Sequence, residues 1–327
     1  MSMVRLLSLT LALLTFATPV FADDNPGERP VDQTDRAIVV GAVAASLAPM
    51  AIRLRSHALW DHQLLGDLDE AAYGQFSRSG AWLSDLTLAL AIAVPAAYLT
   101  GSTIEDAAGD RLVLYGETLA VDLALVQLVK YLVQRPRPYL YNQTPDVVRY
   151  AETAGDDGWT SFYSSHAAMS FGAAVAGAYL LSTSNTNPNV RGIAWGTGFA
   201  LAAATSNLRV RAGRHFYSDV LLGALIGSVV GYAVPALHAR GKPYAPDHND
   251  VAAAGAGLFA GTVISQLLPL HDPALAEHPP AVMIDQLHVG PLAVQDGAGL
   301  AISGRVRSRS WGRVPLSRHR AWAADAQ

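Results

Sequence analysis

The sequence predicts an all-α bundle of about six or seven apolar helices, membrane-embedded, with a small irregular, β-hairpin-bearing C-terminal tail. Composition is the first reason: 51% of the 327 residues are hydrophobic and only 15% are charged. The 28 glycines carry the apolar share to about 60%, above the 45–50% usual for soluble domains. The second reason is pattern. Seven stretches rich in Ala, Leu, Val and Gly, at roughly 37–52, 86–100, 112–133, 166–183, 192–208, 217–237 and 250–270, lack the alternation of half-buried strands and read as helices. The third is punctuation, since Pro188 and Pro235 fall near helix ends, where proline does least damage.

Residues 1–22 read as an export signal. Arg5 supplies the positive n-region, Leu6 to Thr18 the apolar h-region, and Val20-Phe21-Ala22 a small-x-small cleavage site. Residues 23–84 then form an N-terminal segment with one apolar helix. Residues 85–240 form the core, with Asp85 and Ser218 expected as N-caps. Residues 241–327 hold a further helix and a basic tail. Within that tail, 292–302 reads as a hairpin around an Asp296-Gly297 turn, followed by Arg305, Arg307, Arg309, Arg313, Arg318 and Arg320. The tail reads as a frayed basic terminus or a contact for anionic lipid.

Charge and cysteine content exclude several classes. A net charge of −4 gives nucleic-acid binding no electrostatic support, and no protein partner is indicated. The absence of cysteine removes disulfides, thiolate metal sites and cysteine nucleophiles together.

Three segments place charged groups where apolar helices end. In the first, Lys130 closes a helix and Arg135-Pro136-Arg137-Pro138 forces an extended exit. Lys130 is one of two lysines beside 21 arginines, so its position is not incidental. In the second, Ser164-Ser165-His166 opens a helix whose free N–H groups suit an anion. In the third, Arg209 precedes His215 across a glycine-containing bend, and His215 and Asp219 are four apart, sharing a helix face. A carboxylate that holds one imidazole nitrogen leaves the other free as a nucleophile.

Lys130-x6-Arg137-Pro138, Ser164-x-His166 and Arg209-x5-His215-x3-Asp219, in that order, resemble the type 2 phosphatidic acid phosphatase (PAP2)/vanadium haloperoxidase superfamily over about residues 85–240. The resemblance implies a metal-independent phosphatase acting on a phosphomonoester through a phosphohistidine. The implied substrate is a lipid phosphate such as phosphatidic acid or an isoprenoid (di)phosphate, or a small phosphoester. Lys130, Arg137, Ser164, Ser165 and Arg209 would bind phosphate. His215 would attack phosphorus, oriented by Asp219, and His166 would protonate the leaving alcohol. No cofactor or metal is implied. Two departures bear on efficiency and substrate choice: the family's usual Pro-Ser-Gly-His is Tyr163-Ser164-Ser165-His166, and its usual serine before the arginine is Leu208. Vanadium-dependent halide oxidation in the same cradle, and non-catalytic binding of phospholipid in the envelope, are the alternatives.

Several stretches fall short of the ~20 residues a spanning helix needs, and 112–133 carries Glu117, Asp122 and Gln127, costly in lipid unless they face other helices. The bilayer is nonetheless the expected surround, with the chain in the inner membrane and its site facing the periplasm. A periplasm-facing site requires that 37–52 not span, as its Pro49 permits. A soluble periplasmic bundle is the alternative.

Overall fold

A computed structural model describes residues 31–47, 59–60, 66–101, 107–184, 187–239, 242–270, 281–294 and 297–309, with backbone alone for 101, 107–108 and 281–309. The signal segment 1–22 lies outside the described residues. The described residues divide into two units between Asp272 and Pro273.

The first unit is helical. Its elements are α1 (Gln33–Leu47), the single turn α2 (Asp67–Glu70), α3 (Arg78–Gly101), α4 (Ala107–Val133), α5 (Pro145–Ala154), α6 (Ser165–Ser184), α7 (Pro188–Arg211), α8 (Tyr217–Leu237) and α9 (His248–Leu267). Short 3₁₀ turns at Pro138–Tyr141 and Gly155–Trp159 flank α5. The seven apolar stretches of the sequence correspond to α1, α3, α4, α6, α7, α8 and α9. Helix α2 is a single turn, and α5, though amphipathic, is only ten residues long and mostly polar, so neither forms an apolar stretch.

Helix α6 is the axis of the unit. It packs against α8, α7, α3 and α4, while α9 covers α7 and α1 lies along α4. Nearly every α6 side chain is buried, and most are Ala, Gly or Ser. Small residues let backbones approach closely, and α8 uses this along Gly223, Gly227 and Gly231. A Cβ at Gly227 would lie 2.1 Å from the Ala168 carbonyl oxygen of α6. Gly257 of α9 meets the Gly196 carbonyl of α7 in the same way, at 2.0 Å.

Polarity is inverted relative to a soluble bundle. Glu117, Asp122, Gln127 and Lys130 of α4 are buried, whereas Trp82, Leu132, Leu221, Leu225 and Phe259 point outward. Five helices are long and apolar enough to cross a membrane: Arg78–Thr100, Gly109–Tyr141, Ser165–Ser184, Tyr217–Leu237 and His248–Leu267. The 86–100 stretch therefore extends a further two turns upstream and is not short of a span. Its first turns are polar, with Ser79, Ser84 and Asp85, and so lie ahead of the apolar run; Ser84 is fully buried. At 15 residues, α1 rises only about 22 Å against a hydrocarbon core of about 30 Å.

Two N-cap expectations are corrected. Asp85 sits inside α3, and Ser218 is the second residue of α8, whose N-cap is Phe216. Both side chains serve tertiary contacts described below. Pro188 opens α7 and Pro235 lies in the last turn of α8.

In the second unit, Ala281–Val294 (β1) and Gly297–Arg309 (β2) pair antiparallel, with Val294 opposite Gly297. Gly297, expected in the turn, is instead the first residue of β2; Asp296 lies outside the described residues, and the arms are longer than 292–302. Arg305, Arg307 and Arg309 lie on β2 rather than in a frayed end, and Arg313, Arg318 and Arg320 lie outside the described residues.

Candidate active site

Chain direction alternates through the unit, so one end collects the C-termini of α4 and α7 and the N-termini of α6 and α8. Helix N-termini carry partial positive charge and free N–H groups, which favour an anion. The three sequence segments all arrive here.

Lys130 lies in the last turn of α4, is buried, and donates to Ser165 Oγ at 3.4 Å. Beyond it the chain reverses through Gln134, which takes φ 50° while its N–H closes on the Lys130 carbonyl. Arg137 follows in extended backbone. Its guanidinium donates to the Asp157 backbone oxygen at 2.7 Å, to Asp157 Oδ1 at 2.7 Å and to the Arg214 carbonyl at 2.8 Å. This clamp leaves Nη1 3.4 Å from His215 Nε2.

Ser164 is buried and caps α6, its Oγ accepting from the Ala167 N–H at 3.3 Å and its own N–H donating to the Asp219 carbonyl at 3.1 Å. Ser165 is buried beside Lys130. His166, one residue into α6, presents Nε2 to Asp85 Oδ1 at 2.8 Å; Nδ1 is buried without a hydrogen-bond partner among the described residues.

Arg209 lies in the last turn of α7, donating to Ser84 Oγ at 3.3 Å with Asp85 Oδ1 at 3.6 Å. Gly213 turns the chain with φ 68°, and a Cβ there would stand 1.7 Å from the Gln75 carbonyl oxygen. Only glycine fits that bend, which brings His215 back toward Arg209. His215 is fully buried, its Nδ1 3.6 Å from Asp219 Oδ2. Burial first, then the charges of Arg137, Arg209 and Lys130, hold its imidazole well below the ordinary histidine range. It is therefore a neutral, desolvated base among cations.

Asp219 has a double duty. Oδ2 accepts from the Phe216 N–H at 2.9 Å, capping α8, and from Ser161 Oγ at 2.5 Å. Oδ1 accepts from Arg135 at 2.6 Å. Arg135 also donates to Ser218 Oγ at 2.7 Å and to Asp69 Oδ2 at 2.7 Å, and its guanidinium lies 4.2 Å from the Phe216 ring centroid. Asp69 of α2 in turn accepts from the Ser218 N–H at 2.9 Å and from Ser218 Oγ at 2.5 Å. Sequence reasoning missed Arg135, Asp69, Arg214 and Asp85. Arg135 was visible inside the first segment, but nothing in local spacing links it to Asp219, 84 residues on.

All eight residues singled out in the sequence, His215, His166, Asp219, Lys130, Arg137, Ser164, Ser165 and Arg209, thus meet at one end of the unit. A cluster with metal-ligand chemistry lies elsewhere. Asp35, Glu117 and His238 are buried with potential ligand atoms within 4.8 Å of one another, at the far end of α8 about 30 Å from His215.

Compared with known protein families, residues 111–242 match the PAP2 superfamily. No curated protein and no solved structure matches the chain.

Proposed function

We propose, from the match of residues 111–242 to the PAP2 superfamily, that the chain is a membrane-embedded phosphatase releasing phosphate from a lipid phosphomonoester through a phosphohistidine. The observation that carries this reading is the convergence of Lys130, Arg137 and Arg209 on a neutral, fully buried His215. Three fixed cations suit the charge that spreads over the equatorial oxygens of a transferring phosphoryl group.

His215 Nε2 carries the lone pair that attacks phosphorus, with its Nδ1–H directed to Asp219. Lys130, Arg137 and Arg209 hold the phosphoryl oxygens, and Ser164, Ser165 and the first amides of α6 close the cradle. His166 gives its proton to the leaving alkoxide, then accepts one from the water that cleaves the phosphohistidine. Splitting the displacement in two replaces one high barrier by two lower ones. The apolar exteriors of α3, α4, α8 and α9 favour a substrate that reaches the site from the bilayer, and an exported chain would present the site to the periplasm.

The test is phosphate release by the full chain in detergent micelles from phosphatidic acid and from an isoprenoid diphosphate, with EDTA present. The expected result is release that vanadate inhibits and that His215→Ala abolishes. Full activity in His215→Ala overturns the phosphohistidine route, and silence on both lipids and on simple phosphate esters overturns the phosphatase.

A further inference from the structure

The strongest feature that this reading does not use is Asp85. It comes from α3, outside the segment that matches the family, and its carboxylate contacts two site residues at once: His166 Nε2 at 2.8 Å and Arg209 Nη1 at 3.6 Å. The side chain is about a quarter exposed, while His166 is largely enclosed. Ser84, the preceding residue, accepts from the same guanidinium at 3.3 Å. One turn of α3 therefore fixes the positions of both the second histidine and the third cation.

We propose that Asp85 is the positioning residue for proton delivery: it accepts the Nε2–H of His166, so that the proton transferred to the leaving group travels from Nδ1. The inference rests on the phosphatase reading above. With Nε2–H held by the carboxylate, the tautomer of neutral His166 is fixed and Nδ1 bears the exchangeable site. Nδ1 is also the nitrogen that has no protein partner among the described residues. In the first step the P–O bond to the leaving group breaks as the bond from His215 forms. The departing oxygen takes the Nδ1 proton, and His166 passes from imidazolium to neutral imidazole with Nε2–H still on Asp85. In the second step the water oxygen bonds to phosphorus as the P–N bond to His215 breaks, and Nδ1 takes the water's proton, which restores the imidazolium. Protons balance over the cycle, and Asp85 stays ionised throughout.

The experiment compares an alkyl phosphate, whose leaving group needs a proton, with p-nitrophenyl phosphate, whose leaving group does not. Asp85→Asn keeps shape and removes the carboxylate. The expected result is a loss of kcat on the alkyl ester at least about tenfold greater than on the aryl ester, within the range of general acid catalysis. His166→Asn should show the same selectivity, and the double variant little further loss. Asp85→Glu should recover part of the alkyl activity. Equal losses on the two esters would mean that Asp85 merely shapes the phosphate cradle through Arg209, and would overturn the proposal. No loss on either would overturn it too. If Asp85→Asn folds poorly, the selectivity between esters in Asp85→Glu decides by the same criterion. A wild-type chain that cleaves neither ester sinks the phosphatase reading and this inference together, whereas an active wild type with uniform losses sinks this inference alone.

Discussion

His215 faces its carboxylate, Asp219, four residues along the chain, whereas His166 meets Asp85 across 81 residues and from another helix. The first pair is buried completely and is held by a local device, the start of α8. The second pair is partly exposed and exists only because α3 packs against the other helices. The proposed nucleophile is thus built by sequence spacing, and the proposed proton donor by tertiary packing. That division predicts different sensitivities.

The largest effect falls on the locally built histidine. His215→Ala should reduce turnover by about 10⁴-fold or more, since loss of a covalent nucleophile leaves only the cradle. Phosphate release from any substrate reads it. His166→Ala should cost about 10²–10⁴-fold on alkyl esters and far less on p-nitrophenyl phosphate. A comparable loss on both would erase the distinction between the two histidines.

Arg135 tests how the local pair is supported. It ties Asp219 to Asp69 and Ser218, and its removal leaves two buried carboxylates without their cation. Arg135→Ala should destabilise the fold by about 3–5 kcal/mol, measurable as a lowered unfolding midpoint in detergent. Arg135→Lys should recover little, because an ammonium lacks the planar fork that spans both acids.

The smallest effect is in pH dependence. Folded His215 resists protonation, while the unfolded chain takes up that proton below about pH 6.5. Stability from this group is therefore complete above 6.5 and is lost as pH falls, by at most about 1.4 kcal/mol per unit. In His215→Gln the loss of thermal stability between pH 7 and pH 5.5 should be smaller than in the wild type. An unchanged loss would mean that His215 is not held neutral.

The same division explains what could be read from the sequence. Apolar runs located all seven long helices, because helical periodicity and composition are local. The three motif segments located the cations, both histidines and Asp219, because each lies within a few residues of a helix end. Asp85 was legible only as a polar residue at the edge of an apolar run, and an N-cap was the simplest local account of it. Asp69 and Arg135 were equally opaque: a buried ion pair 66 residues apart leaves no trace in periodicity. Ser218 shows the same failure, since its contact with Asp69 depends on where α2 lands.

The backbone-to-backbone seam between α9 and α7 has a practical consequence. Arg211 at the end of α7, two residues beyond Arg209, donates to the carbonyls of Ser265 in α9 and of Leu268, the residue that caps it. The last helix therefore braces the strut that carries the third cation, as α3 braces it from the other side. A chain trimmed to residues 111–242 would keep every family motif and lose both braces. The smallest working unit of this protein is longer than its recognisable signature.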